Sequence, residues 1–211
     1  MTTEIAGIML PDSPICIATT EYAKRVSAPF LFNHVMRSYV FGELAGQSGA
    51  KKYDSELLYI GSVLHDIGLT DDMPANERFE IEGADAAQVF LSQQGMDDKS
   101  IDIVWDAIAL HTTFGIPQRK QPEIALVQAG AALDVGVMPI DMIPPDFLER
   151  ILDAWPRLNF KNAIIEALGG MMKRNPNAAQ SNVVSDIAER TIPDFPRFNI
   201  CDAIHGSGFH E

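Results

Sequence analysis

The chain has 211 residues, 46% of them hydrophobic, and a formal net charge of -13 at pH 7. This length and apolar content fit one domain with a substantial core, whereas the negative charge argues against sequence-independent nucleic-acid binding and against docking on an anionic membrane. No apolar run approaches the roughly 18 residues of a membrane span, and the first residues lack the basic start of a signal peptide, so we expect a cytoplasmic protein.

Helical periodicity dominates the chain from end to end. Apolar residues recur at intervals of three and four, without convincing period-2 alternation and without an Asn-Gly or Asp-Gly hairpin signal. This pattern predicts an all-α fold. Prolines and polar caps mark several helix starts, and glycines mark several ends. The predicted helices cover about residues 12–27, 29–44, 54–66, 79–93, 101–111, 122–134, 145–155, 160–173 and 181–191.

Histidines and aspartates are the polar residues that stand out on these helices. His34, His65 and His111 lie near the apolar faces of three different predicted helices. A single histidine on such a face is more often a structural core residue than a ligand. Here Asp66 follows His65 directly, and Asp134 ends the apolar stripe of a later helix. Buried carboxylates are unfavourable unless they are paired or bind a metal, so these residues have to be considered together.

Two imidazoles and two carboxylates suit a divalent transition metal. The sequence therefore predicts one metal site with His34, His65, Asp66 and Asp134 as ligands, and these donors suit Zn, Fe(II), Mn or Co. Neighbouring helical residues point about 100° apart. His65 and Asp66 can thus share an ion only where the helix ends, and Gly68 is placed to let the backbone adjust.

These four residues resemble a known signature. His34, the doublet in "HDIG" and Asp134 in "AALDVG" are similar to the H…HD…D pattern of the HD-domain superfamily of metal-dependent hydrolases. The resemblance covers roughly residues 27–136. It implies a single HD-type helical bundle over residues 1–211, with a C-terminal helical extension over about 140–195 that no motif explains.

A narrower resemblance lies within that superfamily. The segments "RFEIEGADAA", "AIALHTT" and "LDVG" are similar to the cyanamide hydratase group, which adds water to a cyanamide nitrile at a zinc site. It implies that the four predicted ligands bind the metal and that Glu80 and His111 are catalytic or support the ligands. Two-metal members carry an additional histidine where Phe79 or a neighbour stands here, so a second metal is not expected. The expected activity is a mononuclear metal-dependent enzyme that adds activated water to a small nitrile or cyanamide-type substrate.

The main alternative is a phosphohydrolase acting on a nucleotide or another phosphomonoester. That reaction needs cationic side chains around the phosphate. The candidates are Arg37, one helical turn after His34, and Arg78. Both positions are more typical of ion-paired or solvated arginines, which favours a small neutral substrate. A third alternative is a catalytically silent module used for oligomerisation or small-molecule sensing, and a homo-oligomer is compatible with all three readings.

Overall fold

The computed structural model describes residues 3–49, 51–180 and 182–206. Over these ranges the protein consists of helices and one antiparallel hairpin at the N-terminus, which confirms the all-α prediction. No helix in these ranges is both long and apolar enough to cross a membrane. The elements are β1 (Glu4–Ile5), β2 (Ile8–Met9), α1 (Pro14–Val26), α2 (Pro29–Ser48), α3 (Ser55–Leu64), α4 (Phe79–Gln93), α5 (Asp98–Leu110), α6 (Pro122–Val135), α7 (Pro145–Ala154), α8 (Phe160–Arg174), α9 (Ser185–Thr191) and α10 (Ile200–His205).

Side-chain caps fix several of the helix starts. Ser13 and Asp97 each accept a backbone N–H in the first turn of the helix that follows. Asp54 accepts two such bonds at the start of α3, from Glu56 at 2.9 Å and from Leu57 at 3.2 Å. A cap of this kind satisfies N–H groups that have no partner inside the helix. These helices therefore begin close to the positions that the sequence predicts.

Helix ends differ more from the prediction. α2 continues to Ser48 instead of ending near 44, because Gly46 packs against the ring of Tyr53 inside the helix and does not terminate it. α3 stops at Leu64, and a 3-10 turn at Ile67–Leu69 follows. The ninth helix begins at Ser185 instead of 181.

Two short elements have no counterpart among the predicted ones. The strands of the hairpin have two residues each, too few to show alternation. The terminal helix α10 has six residues, too few for a periodic pattern to be recognised, and none of its side chains is buried.

The main core forms around α2, which packs against α3 and α6. A Cβ atom on Gly130 of α6 would lie 2.1 Å from the carbonyl oxygen of Ser38 on α2, so the two helix backbones are in close contact there. Close approach of this kind depends on the absence of a side chain. α5 packs against α3, α4 and α6 and closes the same core.

A second, smaller cluster involves the C-terminal helices. Phe79, at the start of α4, and Ala75 in the preceding loop pack with residues of α8 and α9. The extension that no sequence motif explained thus covers the segment that follows the His65-Asp66 doublet. The buried members of the cluster are Ala75, Phe79, Met171, Met172, Ala178, Val184 and Ala188.

The contact between α2 and α6 predicts the effect of a single methyl group. Gly130→Ala should lower the free energy of unfolding by about 1–3 kcal/mol because the new Cβ overlaps backbone that cannot move freely. Gly170→Ala in α8 is the matched control, since nothing lies within 4 Å of its Cβ position, and it should raise stability by up to about 1 kcal/mol. Urea denaturation of both variants is the measurement. Equal stabilities would contradict the close packing described above.

Candidate metal centre

Three of the four predicted ligands meet in the core. The Nε2 atoms of His34, on α2, and of His65, at the end of α3, lie 3.1 Å apart. The Oδ2 atom of Asp66 lies 3.3 Å from the first and 3.4 Å from the second. All three residues are buried. Within the part of the chain that the structure describes, this is the one group of three such side chains placed so that they could hold a metal ion.

The end of α3 lets the adjacent residues His65 and Asp66 face one point. His65 still has helical backbone angles, but Asp66 has φ -110° and ψ 12° and lies outside the helix. The backbone therefore changes direction at Asp66 itself. The expected role of Gly68 is different in the structure: a Cβ on Gly68 would lie 1.9 Å from the carbonyl oxygen of Phe79. This glycine allows the start of α4 to pack against the turn that follows His65 and Asp66.

Hydrogen bonds on the far side of each ring orient the two imidazoles. The Nδ1–H of His65 donates to the carbonyl oxygen of Ser62 at 2.7 Å. The Nδ1 of His34 lies 2.7 Å from Oδ2 of Asp134, where an Nδ1–H donates to the carboxylate. With the proton on Nδ1, the lone pair of each ring is on Nε2. Two such lone pairs at 3.1 Å repel each other unless a proton or a metal cation lies between them.

The charge states of the group match those that a metal requires. Burial lowers the pKa of His65 to about 3, so its imidazole is neutral near pH 7. Burial opposes ionisation of Asp66, but His65, His111 and His34 outweigh it and hold the pKa of that carboxyl well below its usual range. Burial also disfavours protonation of His34, yet hydrogen bonds with Asp134 and Asp66 raise its pKa, so its imidazole takes up a proton readily and a metal at Nε2 would displace that proton. Neutral imidazoles and an ionised carboxylate are the forms that bind metals. The donor set therefore fits a divalent ion.

Asp134 lies behind His34 and outside this group of three, so its role as a direct ligand stays a prediction. Its Oδ2 accepts from His34 Nδ1 and from Nη2 of Arg37, both at 2.7 Å. Its Oδ1 accepts from Nε of Arg37 at 2.7 Å and from Nη1 of Arg157 at 3.1 Å. A carboxylate has about four lone-pair positions. All four are occupied in this arrangement, so none is left for an ion, and these partners hold the pKa of Asp134 well below its usual range despite burial.

His111 and Glu80 lie next to the group. The Nδ1–H of His111 donates to the carbonyl oxygen of Ile108 at 2.6 Å, and its Nε2 lies 3.4 Å from Oδ1 of Asp66. Glu80, in the first turn of α4, is fully buried. Its Oε1 accepts from Thr112 at 2.5 Å and from Arg78 at 2.8 Å. His111 is therefore close enough to Asp66 to act on what binds there, whereas Glu80 is coupled to the group electrostatically through His111.

The charges of His111 and Glu80 depend on each other. Burial disfavours the imidazolium form of His111, but Asp66 and Glu80 reverse this and raise its pKa. For Glu80, burial opposes ionisation, while Arg78, His111 and Thr112 lower its pKa overall. The pair thus consists of an ionised carboxylate and an imidazole that accepts a proton readily.

Periodicity alone gave no reason to place two further side chains at the site. Phe160, the first residue of α8, stacks on the imidazole of His34 with ring centroids 4.7 Å apart. Arg157, in the connection between α7 and α8, contacts Asp134. Both come from the C-terminal third, where helical spacing places apolar residues on a face but does not say which helix they meet. The one related signal in the sequence is that Asp134 lies on an apolar helix face, where a buried carboxylate requires a cationic partner.

Comparison with known proteins points to one enzyme class. No protein-family model matches the chain. Two curated proteins of Saccharomyces cerevisiae, cyanamide hydratase DDI2 and cyanamide hydratase DDI3, are each 26% identical to it over 197 residues. Each match covers 86% of this chain and 83% of the relative. The chain is thus related in sequence to cyanamide hydratases, which confirms the narrower resemblance expected from its motifs.

The buried Arg37–Asp134 pair should be important for stability. Arg37→Met leaves the Asp134 carboxylate in the core without its bidentate partner, which should cost about 3–5 kcal/mol of unfolding free energy. Arg150→Met is the matched control, because Arg150 forms an exposed i,i+4 pair with Asp146 and should change stability by less than about 0.5 kcal/mol. Chemical denaturation at pH 7 measures both. A loss below 1 kcal/mol for Arg37→Met would show that Asp134 is neutralised in another way.

Proposed function

We propose that this protein is a mononuclear metal-dependent enzyme of the HD-domain type that adds water to a small nitrile or cyanamide-type substrate. The observation that carries the proposal is the convergence of the Nε2 atoms of His34 and His65 on the carboxylate of Asp66 in a buried place. The relationship to two cyanamide hydratases supports the choice of substrate class. For cyanamide itself the product of hydration is urea.

We assign the metal to His34, His65 and Asp66, with zinc as the first expectation and Fe(II) or Mn as alternatives. Three protein ligands leave room for water and substrate. The chemistry that such an ion supplies when bound is Lewis acidity, which lowers the pKa of water at the site towards neutrality. Asp134 takes the supporting role of holding His34 in the tautomer whose Nε2 lone pair faces the ion.

We assign proton transfer to His111. In nitrile hydration, a C–O bond forms, one C–N π bond breaks, and a proton of the water must reach the nitrile nitrogen. Because Nδ1 of His111 is held by Ile108, its Nε2 is the atom that can take a proton and return it. Nε2 already lies beside Asp66. A side chain in this position can serve both the attack and the protonation.

We assign Glu80 to stabilising the protonated form of His111 and to orienting water. Its carboxylate is held ionised by Arg78 and Thr112, which makes it a poor proton donor. A fixed negative charge beside an imidazole that gains a proton during the reaction lowers the energy of that state. These roles were interchangeable from the sequence, and the hydrogen bonds of Glu80 favour this order.

The phosphohydrolase alternative has less support. Arg37 is fully buried, its Nε and Nη2 both donate to Asp134, and its Nη1 donates to backbone carbonyl groups. Arg78 is committed to Glu80. Arg37 and Arg78, the candidates for binding a substrate phosphate, are therefore both paired with carboxylates. This favours a substrate without a net charge. A catalytically silent module would not explain why two imidazoles are held with their Nε2 atoms facing each other, since this arrangement is unfavourable without a proton or cation between them.

Several predictions from the sequence stay predictions. They are a single HD-type domain over residues 1–211 with a motif-bearing core over about 27–136 and an extension over about 140–195, a cytoplasmic location, and a homo-oligomeric state. Contacts between α2 and α8 support the single domain, because they join the core to the extension.

Metal content is the first test of the assigned site. Wild-type protein purified without added metal should contain close to one equivalent of Zn or Fe by elemental analysis. Asp66→Ala should contain almost none, because it loses a ligand. Asp134→Ala should bind the metal about 10–100-fold more weakly, because it loses only the support of His34. Chelation should lower the melting temperature of wild type.

The control for these variants is Asp72→Ala, which removes an exposed carboxylate from the loop that follows the ligands. It should retain the metal content and the melting temperature of wild type. Metal-free wild-type protein, or full occupancy in Asp66→Ala, would contradict the assigned site.

The proposed proton transfer predicts a kinetic effect at two residues. His111→Gln should lower kcat for cyanamide hydration by about 10²–10⁴-fold, the usual contribution of a positioned acid or base. Glu80→Gln should lower kcat by a smaller factor, because it removes only a charge beside His111. Glu77→Gln and His205→Gln change exposed residues and serve as matched controls. Urea formation by metal-loaded protein is the measurement, and wild-type rates in His111→Gln would refute its role.

A further inference from the structure

The connection between α7 and α8, residues 155–159, crosses the far side of the metal-ligand group. We propose that Arg157, in this connection, and Phe160, directly after it, are positioning residues. Arg157 fixes Asp134 and Phe160 fixes His34, and together they set the affinity of the site for its metal. This inference rests on the proposed metal binding. It gives the C-terminal extension a function that the motif-bearing helices do not provide for themselves.

Arg157 binds both the side chain and the backbone of Asp134. Its Nη1 donates to the Oδ1 atom and to the carbonyl oxygen, each at 3.1 Å, and its Nη2 donates to the same carbonyl oxygen at 3.1 Å. Asp134 lies in the last turn of α6, where carbonyl groups lack partners within the helix and a cation is favoured. Arg157 therefore holds the position of Asp134 as well as the direction of its carboxylate.

Phe160 holds the ring of His34 directly. The two rings are stacked at 30°, with centroids 4.7 Å apart, and Phe160 is 2% exposed. The guanidinium groups of Arg157 and Arg37 lie 4.7 and 5.6 Å from the centroid of Phe160. Cation–π contacts of this kind strengthen when water is excluded. Phe160 thus joins the imidazole and both arginines in one packed unit.

The backbone of the connection is held against α2. The carbonyl oxygens of Trp155 and Pro156 accept from Nη1 of Arg37, at 3.0 and 3.3 Å. The carbonyl of Pro156 also accepts from the side chain of Asn33 at 2.8 Å. These bonds use backbone acceptors that helices α7 and α8 leave free. The connection is therefore fixed to the helix that carries His34.

Unfavourable backbone angles separate Arg157 from Phe160. Leu158 and Asn159 have φ values of 51° and 59°. Asparagine tolerates this region, whereas a leucine there is strained because its Cβ comes too close to the backbone. Leu158 is also 51% exposed, so burial of its own side chain does not compensate. Such a conformation persists when surrounding contacts determine it, and here those contacts are the ones that Arg157 and Phe160 make with Asp134 and His34.

Arg157 affects His34 indirectly, because it fixes the orientation of the Asp134 carboxylate that binds the imidazole. With Arg157 present, Asp134 has no free lone pair and one orientation. Its Oδ2 then keeps the proton of His34 on Nδ1, and the lone pair on Nε2 stays aimed at His65 and Asp66. Without Arg157, one position on Oδ1 and the carbonyl are released, so the carboxylate can rotate and His34 is held less firmly. Partners of this kind typically change metal affinity by about 10–100-fold.

The test compares Arg157→Met, Arg157→Lys and Phe160→Leu with wild type. Arg150→Met is the matched control, since it removes an arginine from α7 that pairs only with the exposed Asp146. Full-length proteins are stripped of metal and titrated with Co²⁺ and Zn²⁺ in competition with a chromophoric chelator. The visible spectrum of the Co²⁺ form, the melting temperature of the metal-free form, and kcat and KM for cyanamide are measured on the same samples.

We expect Arg157→Met and Phe160→Leu to bind both ions about 10–100-fold more weakly. Their Co²⁺ spectra should change, and at saturating metal kcat should fall while KM stays within about twofold of wild type. Arg157→Lys should recover part of the affinity, because lysine supplies charge without the planar fork. Arg150→Met should match wild type in every measurement.

A purely structural role predicts a different pattern. If Arg157→Met and Phe160→Leu lower only the melting temperature of the metal-free protein and bind metal as wild type does, the inference is wrong. If wild type binds Co²⁺ but hydrates no cyanamide, the proposed reaction fails, and the affinities still decide the inference. If wild type binds neither ion, the proposed site and the inference fail together.

Discussion

Two imidazole nitrogens and a carboxylate oxygen lie within 3.4 Å of one another in the core of this protein, and the lone pairs of all three point inwards. Such an arrangement is unfavourable unless a positive charge lies between the atoms. Hydrogen bonds from Nδ1 of each ring keep a proton on that atom, so a proton between the two Nε2 atoms has to be an additional one that makes one ring an imidazolium. Much of the surrounding structure can be understood as what holds these three side chains in place.

The support for the group is arranged in layers. Asp134 orients His34, Arg37 neutralises Asp134, and the carbonyl groups of residues 155 and 156 accept the remaining N–H of Arg37. Each buried charge thus meets the next one, which limits the unfavourable energy of burying any of them. This arrangement also leaves Arg37 unable to bind a substrate anion. The same contacts that stabilise the fold therefore agree with the small neutral substrate that we propose.

The sequence allowed much of the site to be predicted, for physical reasons that differ between residues. His34, His65, Asp66, Glu80 and His111 fall at positions that helical periodicity places on buried faces, and polar groups there need partners. For Asp134, periodicity and burial are not sufficient. Its burial predicts a positively charged neighbour of some kind, but a metal ion and an arginine satisfy a carboxylate equally well, and spacing along one helix does not distinguish them.

By itself, the sequence determined the all-α class, most helix starts, and the set of side chains that could bind a metal, because caps, periodicity and donor chemistry are local properties. Only the tertiary structure showed that His34, His65 and Asp66 meet at one point, with Asp134 hydrogen-bonded to the far side of His34. It also decided that Phe160 and Arg157, more than 20 residues beyond Asp134 in the chain, belong to the same unit. Those contacts depend on how α8 packs against α2 and how the connection before α8 meets the end of α6, and such packing is a property of the whole chain.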